Sequence, residues 1–197
     1  MAKKVLILQG HPDPAGGGLC HALADAYAAG ARDAGAEVRR VEIAQLDFPV
    51  LRTKADWSAG EAGAPESLRP AIADSRWAEH MLIIYPLWLG TMPALLKAFL
   101  EQAYRPGVAL LEGTKGFPKP AFTGKSARVA VTMGMPALAY RWFFGAHSLK
   151  SLERNILKFA GVRPVRESLF GLVDAGSRED AEKRIAKFRE TGRKDAG

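Results

Sequence analysis

The sequence has 197 residues, and its 28 Lys and Arg residues against 21 Asp and Glu residues give a formal net charge of +7. A hydrophobic share of 48% with 25% charged residues is typical of one globular domain over residues 1–197 and excludes a disordered or fibrous chain. The single cysteine, Cys20, excludes an internal disulfide and a multi-thiolate zinc site, so we expect a cytoplasmic protein without a metal. No stretch approaches the roughly 18 apolar residues of a membrane span.

Short apolar runs alternate along the chain with longer stretches of helical periodicity. They predict five strands and five intervening or following helices. The predicted strands cover residues 4–8, 37–43, 81–85, 127–132 and 165–172, and the predicted helices cover 19–34, 71–77, the residues after Pro93, 148–159 and 178–194. Strands separated by helices require right-handed crossovers, so the fold class is α/β, with a parallel sheet covered on both faces. The second strand alternates apolar and charged residues, which predicts an edge position.

Much of the positive charge lies in the last helix, residues 178–194, where acidic and basic residues alternate. Ala181, Ile185 and Phe188 form a narrow apolar stripe, so we predict a solvated surface helix. No nucleic-acid-binding motif accompanies these residues, and we therefore expect no nucleic-acid partner. A positive field also attracts the phosphates of a small ligand.

Three segments between the predicted elements are long and irregular. Residues 44–70 form the longest, and a segment of this kind is a lid, a binding loop, a subunit contact or disordered. Residues 105–125 contain three Pro and four Gly, and residues 134–147 contain an aromatic run. We expect these two segments to form the walls of a substrate pocket. The run 140–144 is equally well explained as a hydrophobic plug or a subunit contact.

In a parallel sheet the ligand binds at the carboxyl ends of the strands, which selects the loops 10–18, 86–91 and 133–147. Three glycines, Gly16 to Gly18, precede the first helix and fit an anion site made of backbone N–H groups. They match neither a P-loop nor a dinucleotide fingerprint, because His21 stands where the last glycine belongs. The alternative is a glycine turn without a ligand. His11 in the same loop contacts a phosphate or caps the turn.

The loop after the third strand places Pro86, Leu87, Trp88 and Leu89 where polar turn residues usually follow. Such a loop can lie along a flat ring, with backbone N–H groups at the polar edge and apolar side chains as walls. The alternative is that Trp88 only packs on the neighbouring helix.

The run 85–97, which reads YPLWLGTMPALLK, stands with Gly10-His11-Pro12 after the first strand and Thr132-Met133-Gly134 after the fourth. This combination resembles the NAD(P)H:quinone oxidoreductases of the flavodoxin-like superfamily, which include modulator of drug activity B and the ancillary oxidoreductases of potassium efflux systems. The resemblance covers about residues 3–172. It implies a flavodoxin-like three-layer sandwich with a five-stranded parallel sheet in the order 2-1-3-4-5.

The resemblance also implies a non-covalent FAD or FMN, NAD(P)H as co-substrate, and two-electron reduction of a quinone or similar acceptor by ping-pong hydride transfer. Relatives are homodimers with active sites at the interface. By position, the residues around the flavin would be His11, Gly18, Leu19 and Cys20 at the phosphate and ribityl chain, Pro86, Leu87, Trp88 and Leu89 along the ring, and Thr132, Met133 and Gly134 at its polar edge. The matching catalytic candidates are Tyr140 and His147.

The sequence departs from the family pattern at two places. His147 lies one residue further from Tyr140 than expected, and the phosphate loop has Gly17, Gly18 and Cys20 where relatives carry Ser, Thr or Asn. Phosphate binding would therefore depend on backbone N–H groups. A flavodoxin-type electron carrier and a regulatory flavoprotein subunit are the alternatives to an enzyme, and a dehydrogenase of different topology lacks its fingerprint here.

Overall fold

Five parallel strands form the central sheet of the computed structural model, which describes residues 2–111 and 118–197. In chain order the strands are β1 Lys4–Gln9, β2 Glu37–Glu42, β3 His80–Pro86, β4 Leu110–Leu111, β5 Lys119–Pro120, β6 Ser126–Thr132 and β7 Val165–Phe170. The α-helices are α1 Leu19–Asp33, α2 Lys54–Ser58, α3 Arg69–Trp77, α4 Ala94–Ala103, α5 His147–Ser151 and α6 Arg178–Ala196. A π-helical segment Leu152–Lys158 continues α5, and another, Ala139–Phe143, precedes it.

The sheet has the order β2-β1-β3-β6-β7, while β4 and β5 form a separate antiparallel pair. When that small pair is set aside, the order is the predicted 2-1-3-4-5, and the prediction is confirmed. Every residue of β3 is buried, as its continuous apolar run predicts for a central parallel strand. β2 has only one buried residue and stands at the edge, as predicted from its alternating sequence.

Two apolar clusters cover the two faces of the sheet and make the three-layer sandwich. One joins the sheet to α3, α4 and the helix over 147–158, and it includes Leu96, Phe99 and Leu152. The other joins the sheet to α1 and α6, and it includes Leu23 and Phe188. Among the residues that the structure describes, no helix combines the length and the apolar character needed to cross a membrane.

The last helix is more buried than its sequence predicts. Only the amino-terminal half of α6 is a solvated surface, whereas Gly192, Asp195 and Ala196 are buried. The cause is a close crossing with α1: a Cβ on Gly30 would lie 1.8 Å from the carbonyl oxygen of Arg189, and a Cβ on Gly192 would lie 2.2 Å from that of Tyr27. Two glycines therefore let the helix backbones touch.

Residues 44–70, predicted as an irregular loop, contain α2 and short 3-10 turns. Thr53 caps α2 through a reciprocal pair of hydrogen bonds with Asp56, a signal that the sequence carries as T-x-x-D. The guanidinium of Arg76 binds both carboxylate oxygens of Glu61 at 2.6 Å and so ties the segment to α3. In the predicted loop 105–125, β4 and β5 pair, and residues 112–117 lie outside the described residues.

A polar network lies at the amino end of the sheet. The Tyr27 hydroxyl donates to Asp195 at 2.8 Å and lies 2.9 Å from Nε2 of His80, whose Nδ1 lies 2.7 Å from the Ser126 hydroxyl. Arg128 donates twice to the same carboxylate. Burial lowers the pKa of His80 to about 4, so this imidazole is neutral at pH 7. The network fastens the end of α6 to the sheet.

Candidate functional site

Three loops meet at the carboxyl edge of the sheet, where the parallel fold predicts a ligand crevice. The Gly10 N–H donates to the Ile84 carbonyl at 2.8 Å and joins the first loop to β3. The Leu87 N–H donates to the Thr132 carbonyl at 2.7 Å and joins the second loop to β6. The structure therefore brings the starts of the predicted loops 10–18, 86–91 and 133–147 side by side at this edge.

The first loop leads into α1, and no side chain caps the start of this helix. Gly16 and Gly17 have φ values of +71° and +92°, a region that favours glycine. Gly18 is the N-cap residue with no side-chain hydrogen bond, and no acidic residue stands in the first turn. A Cβ at Gly17 or Gly18 would meet nothing within 4 Å. The start of α1 is thus an open, partially positive surface.

Gln9, which the sequence analysis did not single out, anchors this loop from below. Its buried side chain amide donates to the Cys20 carbonyl at 3.4 Å and accepts from the His11 N–H at 3.3 Å and from the Cys20 thiol at 3.4 Å. Burial raises the pKa of Cys20 to about 12, so the thiol is protonated. Cys20 therefore faces the crevice with its backbone, not its sulfur. The sequence signal for this role of Gln9 is that a polar residue ends an otherwise apolar strand.

Two imidazoles and an indole cluster beside the glycine loop. The rings of His11 and His21 have centroids 5.0 Å apart, and those of His11 and Trp88 are 6.2 Å apart in an edge-on arrangement. Nδ1 of His21 is buried without a hydrogen-bond partner among the described residues. Burial and the neighbouring His21 lower the pKa of His11. His21 entered the sequence analysis only as a mismatch to a glycine motif, so the structure reveals it as part of the site.

The second loop makes a tight turn that exposes an apolar side chain. Trp88 and Thr91 exchange backbone hydrogen bonds of 2.9 and 3.0 Å across Leu89 and Gly90, which have φ values of +46° and +76°. A leucine in this left-handed region costs on the order of 1–2 kcal/mol. The Leu89 side chain is 105% exposed, so no packing in the chain offsets that cost. Backbone strain of this kind is frequent at functional sites.

The third loop contributes backbone more than side chains. Thr132 and Met133 are buried, and the Met133 N–H donates to the Phe170 carbonyl at 2.8 Å. A Cβ on Gly134 would lie 2.7 Å from a carboxylate oxygen of Asp174. A larger residue at position 134 would require the Asp174 side chain to turn away. Asp174, in the segment after β7, was not predicted.

The two predicted catalytic residues differ in accessibility. Tyr140 is 2% exposed, and its hydroxyl lies 2.7 Å from the Ser148 hydroxyl and accepts the Leu149 N–H at 3.2 Å. His147 is exposed at the start of α5. The two residues lie in the same segment after β6, but the Tyr140 ring is buried and is not accessible from the crevice. Their catalytic roles stay predictions.

Comparison with known proteins identifies the architecture. The family model described as "Flavodoxin-like fold" matches residues 3–194. The chain belongs to this flavodoxin-like family. The expectation drawn from the loop motifs is thereby confirmed for the fold and the family.

Among relatives of this flavodoxin-like chain, a ribosyldihydronicotinamide dehydrogenase-like protein of Penicillium crustosum is 30% identical over 153 residues. The match covers 66% of this chain and 57% of the relative. The chain thus spans little more than half of that protein. An NAD(P)H:quinone oxidoreductase from Methanothermobacter marburgensis superposes with a TM-score of 0.81 and 22% identity over 100% of this chain and 98% of the other. An FMN-dependent NADH-azoreductase from Bacillus anthracis, in complex with FMN, superposes with a TM-score of 0.76 and 13% identity over 99% and 100%.

The flavodoxin-like chain also carries an exposed aromatic patch, which consists of Leu138, Trp142, Phe143 and Phe144. The rings of Phe143 and Phe144 meet edge to face with centroids 5.0 Å apart.

Within residues 2–111 and 118–197, no three His, Cys, Asp or Glu side chains are grouped to hold a metal ion.

Proposed function

We propose that this chain is a flavin-dependent NAD(P)H oxidoreductase that reduces quinones or similar acceptors. The observation that carries the proposal is the junction of two surfaces at one edge of the sheet. The open start of α1 fits a phosphate, and the strained turn at Leu89 and Gly90 offers an apolar surface to a flat ring. The named activities of the flavodoxin-like neighbours support this choice of ligand and reaction.

The residues present fit a flavin, FMN or FAD, which would supply the two-electron chemistry between NAD(P)H and the acceptor. The backbone N–H groups of Leu19 and Cys20 would bind its phosphate, because no side chain caps them. The backbone N–H groups of Leu87, Trp88 and Met133 already donate hydrogen bonds to carbonyl groups of the protein. Leu89, Gly90 and Gly134 are therefore the residues whose N–H groups would meet the polar edge of the ring.

A homodimer belongs to the same proposal. The aromatic patch beside the crevice exposes 78% of Trp142 and 84% of Phe143. A second copy covering Leu138, Phe143 and Phe144 of this patch would remove apolar surface from water and close the crevice at the same time. The patch thus combines the two roles, substrate wall and subunit contact, that the sequence left open.

The direct test is flavin binding followed by anaerobic reduction. The purified protein is expected to bind FMN or FAD, the flavin released on denaturation identifies which, and NADPH or NADH is expected to bleach it. Binding no tighter than millimolar for both flavins would reject the proposal. A bound flavin that neither reductant bleaches would instead support an electron carrier.

Gly18 offers a test of the phosphate site that leaves the fold intact. Its φ of −88° suits any residue, and a Cβ there meets nothing within 4 Å. Asp and Asn are equally good N-cap residues, so both variants should keep or raise stability. In both variants a capping side chain would compete with the phosphate for the N–H groups at the helix start. We therefore expect both to bind FMN more weakly than wild type, and Gly18→Asp about tenfold or more weaker than Gly18→Asn, because only its charge opposes the phosphate. Fluorescence titration measures both, and riboflavin, which lacks the phosphate, serves as the control ligand. Equal FMN affinity in the two variants would place the phosphate elsewhere.

The contrast between Tyr140 and His147 leads to a second pair of variants. Tyr140→Phe leaves the buried Leu149 N–H without its acceptor, and we expect a loss of about 1–2 kcal/mol in the free energy of unfolding. We propose a structural role for the buried Tyr140 hydroxyl, so the turnover of Tyr140→Phe with menadione should stay near wild type. His147→Ala should leave stability within about 0.5 kcal/mol and lower turnover. Unchanged turnover in the His147 variant would remove it from the reaction, and a large loss of turnover in Tyr140→Phe at unchanged stability would restore Tyr140 as catalytic.

A further inference from the structure

A basic groove of about 720 Å³ runs along the outer side of β7, between that strand and the helix over 147–158. Its lining includes Gly145 and Ala146, which precede α5, and Arg128, Val165 and Arg166 near the amino ends of β6 and β7. Five cationic side chains line it against two carboxylates, those of Glu153 and Glu167. Five cations against two carboxylates give the lining a net charge of +3, part of which Asp195 neutralises by binding Arg128 and Arg166.

The five cations fall into two groups. Arg128 and Arg166 bind the buried carboxylate of Asp195, and Arg141 binds Glu167 at 2.5 Å. These three are committed to the fold. Lys150 and Arg154 are exposed and form no ion pair with a carboxylate of the described residues. They stand four positions apart on one helix, so their side chains lie on the same face. Two cations next to each other without counter-charges are ready to bind an anion.

Trp142 stands at the rim of the same groove with 78% of its surface exposed. An exposed indole gives a flat base a stacking surface, and it also favours a nearby cation. An aromatic plane next to two free cations matches a nucleotide, which has a base and phosphates, better than it matches an acidic peptide. The lining of the groove also includes residues of the segment 139–147, which adjoins the candidate site.

We propose that the basic groove binds the adenosine half of the reducing dinucleotide, with Lys150 and Arg154 on its 2′-phosphate, and so selects NADPH over NADH. This inference rests on the proposed function, because it assumes that the nicotinamide end reaches the carboxyl edge of the sheet. The proposal gives the charge of the groove a ligand of defined chemistry, a 2′-phosphorylated adenosine.

The test uses 2′,5′-ADP, the phosphate-bearing fragment of NADPH, and compares it with 5′-AMP by calorimetry on the whole protein. Wild type is expected to prefer 2′,5′-ADP. The variant with Lys150→Glu and Arg154→Glu is expected to lose affinity for it about tenfold or more, while its FMN affinity is unchanged. In steady-state assays the same variant should raise the KM for NADPH far more than the KM for NADH, at similar kcat.

The control is a variant with Arg178→Glu and Lys183→Glu, which makes the same change of charge on the exposed start of α6. The substitutions break two exposed i,i+4 ion pairs, with Glu182 and Glu179, which contribute little to stability, so this control should still fold. If the groove and control variants lose the same affinity, the effect is general electrostatics and the groove is not the site. If wild type binds both nucleotides equally, the selection of NADPH is rejected. Failure of the proposed function would appear separately, as a wild-type protein that binds no flavin.

Discussion

Replacement of Asp195 by alanine is expected to lower the free energy of unfolding by about 3–5 kcal/mol, the usual cost of removing one partner of a buried ion pair. Asp195 is 4% exposed and accepts hydrogen bonds from Tyr27, Arg128 and Arg166. Its loss would leave the largely buried guanidinium of Arg128 with no carboxylate. Urea unfolding monitored by circular dichroism measures the change.

A matched control lies on the same pair of helices. Asp33 on α1 accepts two hydrogen bonds from Arg189 on α6, and both side chains are about half exposed. Because water screens such a pair, Asp33→Asn should cost no more than about 1 kcal/mol. A loss in Asp195→Ala as small as in this control would mean that the buried network does not hold α6 on the sheet.

The same network predicts how stability depends on pH. The pKa of His80 is about 4 in the folded chain, below its usual value of 6.5, so between these values the unfolded chain binds more protons. Stability should therefore fall as the pH drops from about 6.5 towards 4, by roughly 2 kcal/mol at pH 5. Burial alone would raise the pKa of Asp195, but hydrogen bonds from Arg128 and Tyr27 hold it below its usual value. The carboxylate thus stabilises the fold above pH 3.8, and that contribution is lost only as the pH falls through its lowered pKa. A His80→Asn variant should show a flatter profile between pH 7.5 and 5. An equally steep profile would assign the proton uptake to other groups.

The second large effect is expected at the crossing of α1 and α6. Gly30→Ala should lower the free energy of unfolding by about 3 kcal/mol, the upper end for overpacking, although alanine favours a helix by about 1 kcal/mol. Its Cβ would lie 1.8 Å from the Arg189 carbonyl oxygen, and a backbone atom in a packed helix cannot turn aside. Gly192→Ala, whose Cβ would meet the Tyr27 carbonyl at 2.2 Å, should behave similarly.

Gly18→Ala is the control for this pair, because its Cβ would meet nothing within 4 Å and its φ is ordinary. Its effect should be well below that of the two crossing glycines. Thermal unfolding ranks the three variants. If Gly30→Ala is as stable as Gly18→Ala, the helices do not cross as closely as the structure shows.

The sequence was sufficient for the sheet and for the location of the crevice. The apolar run at 81–85 predicts a strand buried on both faces, and the alternating run at 37–43 predicts an edge strand, because the spacing of apolar residues reflects which faces are covered. The prediction for the segment 44–70 was less accurate, because it did not include α2 or the 3-10 turns. The T-x-x-D capping box at residues 53–56 predicts a helix start, but the glycine and proline content of the segment favours an irregular loop.

The parts of the site that escaped the sequence are those made by contacts between distant residues. Gln9 is an ordinary strand residue until the fold sets its amide against Cys20, and His21 is an ordinary helix residue until its ring lies 5.0 Å from that of His11. Tyr140 was placed by motif in the catalytic pair, whereas its burial depends on Ser148 and Leu149, which only the folded loop brings to its hydroxyl.

The α/β class and the three loops at the carboxyl edge can be predicted from the sequence, and the strand order follows from the family resemblance, because periodicity and turn residues are local properties. The sequence does not reveal that one face of the carboxyl-terminal half of α6 is buried, that Gly30 and Gly192 lie at its crossing with α1, or that five cationic side chains line a groove beside β7. The physical reason is that burial, close backbone contact and the summed field of charges depend on distances between residues far apart in the chain. Those distances exist only after the sheet has assembled.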